Sequence, residues 1–231
     1  MKILAIDTSS KICSVSILED NTVIIEKHND DEKTHSQKLM PLIDELLKQA
    51  NLTLDNIDLL ACSQGPGSFT GIRIGISTVK AFADVKNIPI IGVTSLESLA
   101  YNVNTSGLIA TLIDAKHDNV YFALYELKDG VYSTIIDPTS ENISNVIEVL
   151  KNYNDTITFI GDGSEVHKDL LSSQFKNCVF VSSDQNVQTS ISIGKSAFDK
   201  YSTNDYQPVY SVSPIYLKKS QAEINLENSK K

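Results

Sequence analysis

Four short stretches carry the residue types and spacing that chemistry would need. Asp7-Thr8-Ser9-Ser10 closes the first apolar run of the chain, and in open α/β sheets ligands bind at the carboxyl ends of the strands. An acid there can orient a Mg²⁺-bound water, and the hydroxyls of Thr8 and Ser9 can meet phosphate. The same residues can also do no more than cap a turn. The segment Gly65-Pro66-Gly67-Ser68-Phe69-Thr70-Gly71-Ile72-Arg73-Ile74-Gly75 holds four of the chain's 10 glycines. Glycines ahead of a helix let backbone N–H groups approach an anion or another chain closely. Gly-Lys-Ser/Thr and G-x-G-x-x-G are both missing from it, so it is neither a P-loop nor a dinucleotide fingerprint. Gly71 and Gly75, one helical turn apart, predict a small groove where a second helix packs. Asp114-Ala115-Lys116-His117-Asp118 is the counterpart of the first loop and contains no glycine, which suits it poorly to gripping phosphates. Gly161-Asp162-Gly163-Ser164 ends a strand before a helix; it could back onto an adenine or a phosphate, but so short and common a stretch reads first as a turn.

Other chemistries find little support. The histidines, His28, His35, His117 and His167, are dispersed, with no pair at the i, i+4 spacing of a helical metal site. Cys13, Cys62 and Cys178 form no C-x-x-C pair, as expected of reduced thiols rather than a disulfide or zinc framework. No H-E-x-x-H or G-x-S-x-G motif points to a peptidase or hydrolase. A net charge of −9 without a basic stripe argues against binding nucleic acid alone. Any role in RNA chemistry then needs a partner to supply positive surface. Arg73 is the one arginine beside 19 lysines, and it stands inside the glycine-rich segment, where a rigid bidentate fork would be of use.

The elements that must position these residues follow from periodicity. Residues 2–7 read as a strand buried on both faces, with strands at about 12–18 and 22–28 joined by Glu19-Asp20-Asn21. Leu39, Ile43, Leu46, Leu47 and Ala50 predict a helix over 36–50, capped by Thr34 or Ser36 and kinked by Pro41. A strand at 57–63 leads into the glycine-rich loop and a helix over 70–86, which buries Ile72, Ile76 and Val79 and turns Arg73, Ser77, Lys80 and Asp84 outward. A strand at 89–93 and a helix at 94–102 complete the first half. The second half repeats it: Leu112-Ile113-Asp114 matches Ala5-Ile6-Asp7, and strands at 120–127 and 131–136 precede a helix containing Ile143, Val146, Ile147 and Leu150. Strand 156–160, helix 165–172, strand 178–181 and helix 189–200 follow. Tandem β-β-β-α-β-α units mark a duplication. The expected lobes are 1–104 and 105–205, with a C-terminal segment and mobile tail over 206–231. No run of about 18 apolar residues is present, so nothing in the sequence reads as a membrane span.

Ile3-Leu4-Ala5-Ile6-Asp7-Thr8-Ser9, His35-Ser36 leading to Leu39-Met40-Pro41-Leu42-Ile43, and the 65–75 segment together resemble the bacterial TsaB (YeaZ-type) family. Asp114-Ala115-Lys116 with Val120-Tyr121, and Pro214-Ile215-Tyr216-Leu217-Lys218, extend the resemblance in order along nearly the whole chain. Lys116 and Lys218 stand where the family usually has Arg. The resemblance implies an α/β fold of the ASKHA (actin, sugar kinase, Hsp70-like) type with two lobes. It implies a cytoplasmic, non-catalytic partner of the transferase TsaD, with the ATPase TsaE as third component, in threonylcarbamoylation of the tRNA adenosine beside the anticodon. On that reading tRNA is met only through the complex, and no cofactor or metal is required by this chain. ATP or ADP with Mg²⁺ would bind weakly or at an interface. Pairing, with TsaD or as a homodimer when alone, would use the two helices of the first lobe. The expected interface residues are His35, Ser36, Leu39, Gly67, Ser68, Thr70, Gly71, Arg73, Gly75 and Lys80. Asp7, Thr8, Ser9, Asp114, Gly161 and Gly163 are the candidates for a vestigial nucleotide site. The competing expectation is an ASKHA kinase or ATPase acting on its own.

Overall fold

The computed structural model describes residues 1–29, 34–204 and 211–218. The parts of the expected C-terminal segment and tail at 206–210 and 219–231 lie outside the described residues. Two five-stranded mixed sheets form. The first contains β1 (Lys2–Asp7), β2 (Cys13–Glu19), β3 (Thr22–Asn29), β4 (Leu59–Ser63) and β5 (Ile90–Val93) in the order β3-β2-β1-β4-β5. The second contains β6 (Gly107–Asp114), β7 (Asn119–Lys128), β8 (Val131–Asn142), β9 (Ile157–Ile160) and β10 (Cys178–Phe180) in the order β10-β9-β6-β7-β8. The two orders are the same pattern, with an antiparallel meander on one side of the first strand and parallel strands on the other. The duplication legible in the sequence is therefore a duplication of sheets. β1 and β4 are almost wholly buried along their length, as parallel central strands covered on both faces must be.

Helices α1 (His35–Gln49) and α2 (Phe69–Lys86) cover the outer face of the first sheet. Leu39, Ile43 and Leu46 of α1 and Ile72, Ile76 and Val79 of α2 meet Leu4, Ile6, Val15 and Leu60 there. Helix α1 runs through Pro41 without a break. In the second lobe α4 (Ile143–Leu150) and α6 (Lys168–Gln174) do the same, through Ile143, Val146, Ile147, Leu150 and Leu171. The inner faces are covered by an exchange. Helix α3 (Ser95–Ala100), from the first half of the chain, packs Leu96, Leu99 and Ala100 against Ile109, Ile113 and Ala123 of the second sheet. Helix α7 (Ser190–Ser202), from the second half, packs Ile193 and Ala197 against Ile3, Ala5, Leu59 and Ile91 of the first. Its Gly194 lies so close to Leu18 that a Cβ would overlap that side chain. Helices α3 and α7 meet between the sheets, where Glu97 accepts from Ser196 Oγ (2.5 Å) and Lys200 Nζ (2.8 Å).

Two elements depart from their expected bounds. The strand expected at 131–136 continues to Asn142 because the ladder absorbs Pro138 in an irregularity. Leu124 pairs with Ile136 and Phe122 with Thr139, so Ala123 faces Asp137 and Pro138 together. A proline is tolerated at such a position on an edge strand. The helix expected at 165–172 is two, α5 (Asp162–Val166) and α6, separated by His167 at φ −107°, ψ 19°.

Candidate functional site

A cleft of about 510 Å³ lies between the lobes, lined by Ser9, Ser10, Lys11 and Ile12 after β1, Gly67 and Ser68 before α2, Asp114 at the end of β6, and Asp162 at the start of α5. Leu99, Ile113 and the segment Asn186–Gln188 close it. The loops at the carboxyl ends of the two equivalent strands, β1 and β6, thus contribute to one cleft.

The geometry then shows what each group does. Asp7 is 1 % exposed. Its Oδ1 accepts from Ser9 N and Ser9 Oγ, both at 2.7 Å, while its Oδ2 is buried without a hydrogen-bond partner among the described residues. Burial pushes the Asp7 carboxyl above the ordinary range, against the two bonds from Ser9 and the nearby His35. Thr8 Oγ1 donates to the Gly71 carbonyl (2.7 Å), tying β1 to α2. Neither Asp7 nor Thr8 lines the cleft; of this loop, Ser9 and the three residues after it do.

The second loop closes on itself. Lys116, His117 and Asp118 all have positive φ, at 65°, 56° and 58°, a conformation that costs non-glycine residues energy and persists only where neighbours fix it. Ala115 N bonds Asn119 O (2.9 Å), and Asn119 Nδ2 donates to the Lys116 and His117 carbonyls. Asp114 accepts from Lys116 N (2.9 Å) and from Lys116 Nζ. Burial alone would raise the Asp114 carboxyl, but these bonds outweigh it and hold the group below the ordinary range. Asp114 N in turn donates to Asp162 Oδ1 (2.9 Å). Gly161 and Gly163 do not face the cleft. A Cβ on Gly161 would meet the Leu112 carbonyl, and one on Gly163 would lie 3.0–3.1 Å from the backbone of Leu112, Ile113 and Asp114, so both let α5 pack on β6. Asn186 caps this turn, accepting from Gly161 N at 2.5 Å.

The glycine-rich segment also turns inward, which corrects the expected interface. A Cβ on Gly71 would overlap the Thr8 carbonyl oxygen, and one on Gly75 would lie 2.5 Å from Thr8 Oγ1. A Cβ on Gly67 would overlap the Ser9 carbonyl. The groove of the G-x-x-x-G pair is therefore filled by the chain's own β1 loop. Leu39 is 1 % exposed and belongs to the core. His35 is half-buried, with Nε2–H donating to the Ser10 carbonyl (2.9 Å). Ser68 caps α2, accepting from Gly71 N (3.2 Å). Ser36, Thr70 and Arg73 remain exposed, and Lys80 is half-buried.

Sequence reasoning missed the companions of Arg73. Its Nε donates to Tyr216 Oη (2.7 Å), and its guanidinium lies 4.0 Å from the centroid of Phe69. Phe69 and Tyr216 stack at 4.9 Å and each is 47 % exposed. With Thr70, Ile74, Ser77 and Thr78, Phe69 and Arg73 line a shallow groove along α2. Met40, half exposed, stands on neighbouring α1. No local signal in the sequence ties Tyr216 to Arg73.

Among the described residues, no three His, Cys, Asp or Glu side chains converge as metal ligands would. Burial pushes the Cys62 thiol up to about 12 and that of Cys13 to about 11, so neither is a nucleophile at neutral pH. No helix among these residues is long and apolar enough to cross a membrane.

Two related lobes around a cleft define the ASKHA class, and a hexokinase of the ROK type from Thermus thermophilus shares the fold (TM-score 0.52, 7% identity, covering 88% of this chain and 100% of that one). The family model described as "TsaD: tRNA N6-adenosine threonylcarbamoyltransferase" matches residues 29–226. The tRNA threonylcarbamoyladenosine biosynthesis protein TsaB of Bacillus subtilis is 30% identical over the full length of both chains. The protein of that name from Escherichia coli is 37% identical over 54% of this chain and 55% of its own length. The solved structure of YeaZ from Pseudomonas aeruginosa superposes with a TM-score of 0.79 at 25% identity, over 94% of this chain and 99% of that one. The chain belongs to the TsaD-related family, and within it to the TsaB (YeaZ-type) proteins.

Proposed function

We propose that the chain is a non-catalytic subunit that binds and activates a TsaD-type transferase in the threonylcarbamoylation of the tRNA adenosine next to the anticodon. A TsaE-type ATPase completes the assembly, which is cytoplasmic, and tRNA is engaged only through the complex. One contrast carries this reading. Asp7 is buried and bonded to Ser9 through one oxygen, Asp114 is bonded to Lys116 and the Thr8 hydroxyl to Gly71, while Gly71, Gly75, Gly161 and Gly163 make room for the chain's own β1 and β6. The outer face of α1 and α2 instead leaves Met40, Phe69, Thr70, Arg73 and Ser77 open. Aromatic and arginine side chains are the usual anchors of protein interfaces. A buried Asp7 and a self-closed 115–119 loop fit a Mg²⁺–nucleotide poorly, so on this reading the chain requires no cofactor of its own. The same face would pair two copies when the transferase is absent.

The competing reading, an ATPase or kinase acting alone, rests on the size of the cleft and on its lining by Ser9, Ser10, Lys11 and Ser68. Purified chain should be assayed for ATP hydrolysis and for complex formation with a TsaD homologue by light scattering, with tRNA modification measured in the reconstituted system. A stable complex, modification that depends on this chain, and no hydrolysis by the chain alone are expected. Hydrolysis by the isolated chain without any complex would sink the proposal.

A further inference from the structure

Residues 211–218 run from one lobe to the other. Val212 is buried in the core beneath α1 and α2. The next two anchors are on the loop after β4: Gln64 Nε2 donates to Ser213 O, and Ile215 N donates to Gln64 O, both at 2.8 Å. Tyr216 then clasps α2 through Phe69 and Arg73. The very next residue, Leu217, packs with the second lobe's cluster around Leu99, Ile109 and Ile113. Lys218 Nζ donates to the Ala115 carbonyl (3.3 Å), at the root of the three-residue left-handed turn.

We infer that this segment is a strap that links the outer face of α2 to the 115–118 loop, which follows directly on the cleft-lining Asp114. Three consecutive left-handed non-glycine residues need external restraint, and Lys218 supplies one from outside the loop. That lysine is held in place because Tyr216, two residues earlier, is pinned by Arg73 and Phe69. Both rings of the clasp, Phe69 on α2 and Tyr216 on the strap, are half exposed, so whatever presses on them shifts the free energy of the loop, and the loop's state acts back on the clasp by the same amount. Identifying the occupant of α2 with a TsaD-type partner rests on the proposed function above; the linkage between clasp and loop does not.

Hydrogen exchange of the isolated chain tests it. The amides of Ala115, Lys116 and Asn119 are bonded within the loop and report its opening. Lys218→Met should speed their exchange about three- to tenfold, the effect of losing one net hydrogen bond. Tyr216→Ala and Arg73→Ala, acting from α2, should speed the same amides, and Tyr216→Phe should do so to a smaller degree because it keeps the ring. Amides of β1 and β6 should keep their wild-type rates, which separates release of the strap from general unfolding. If Tyr216→Ala loosens the whole chain, Tyr216→Phe and Arg73→Lys carry the test. Loop exchange that responds to Lys218→Met but to none of the α2 variants would overturn the strap, as would no response at all. Because no partner is present, failure of the docking proposal would leave this result readable.

Discussion

Asp7 stands at an unusual balance, with one carboxyl oxygen accepting two bonds from Ser9 and the other buried without a partner among the described residues. Its folded carboxyl titrates above the unfolded one because burial disfavours the charge. Folding therefore prefers the protonated form. The stability tied to this group is complete below the unfolded pKa and is lost as pH rises through the folded one. Asp7→Asn keeps an acceptor for Ser9 and removes the buried charge. Its melting temperature should exceed that of the wild type at neutral pH, and the advantage should vanish as pH falls through the carboxylate range. A pH series of thermal melts checks this; an asparagine variant that is less stable at neutral pH, or an advantage that grows on acidification, would contradict it. Asp7 was legible in the sequence as an acid at a strand end. Its complete burial was not, because that depends on α2 closing over the β1 loop.

Helix α2 carries the second lesson. The G-x-x-x-G spacing of Gly71 and Gly75 reads in one dimension as a surface for another helix, yet both glycines exist so that Thr8 can sit against α2. A substitution at Gly71 should therefore injure the fold rather than an interface. Gly71→Ala should cost about 1–3 kcal/mol in chemical denaturation, the range for overpacking against fixed backbone. A variant with wild-type stability would place the conflict elsewhere. The exposed stripe of the same helix makes the opposite prediction. Ser77→Glu adds charge on the open face without touching the core. If the proposed function holds, it should weaken a complex with a TsaD homologue tenfold or more, as measured by titration calorimetry, while leaving the melting temperature unchanged. Unchanged affinity would move the docking surface off α2.

The two lobes hold together through the helices they exchange. Glu97 of α3 binds Ser196 and Lys200 of α7, and Tyr101 Oη donates to Asp199 Oδ2 (3.0 Å) just beyond. Glu97 and Lys200 are 13% and 26% exposed, so the pair is screened less than a surface bridge and more than a fully buried one. Glu97→Ala should cost about 1–2 kcal/mol, between those limits. Urea unfolding followed by both fluorescence and circular dichroism would read it. Retained coincidence of the two probes is expected, because α3 and α7 each complete the other half's core. A loss much below this range would mean that the seam relies on apolar packing alone.

The sequence by itself determined the elements, their duplication and the family. Apolar periodicity is local, and the glycine-rich segment and strand-end acids are contiguous motifs that survive being read one residue at a time. The helix exchange, the inward aim of Gly67, Gly71 and Gly75, and the burial of Asp7 were decided only in three dimensions. Each depends on which side of an element another element occupies, and periodicity gives a face without its occupant. The clasp is the plainest case. Arg73 was singled out by its rarity, but its bond to Tyr216 spans 143 residues of sequence. A contact of that separation is fixed by the packing of two lobes and by a strap that crosses between them, not by any pattern near either residue.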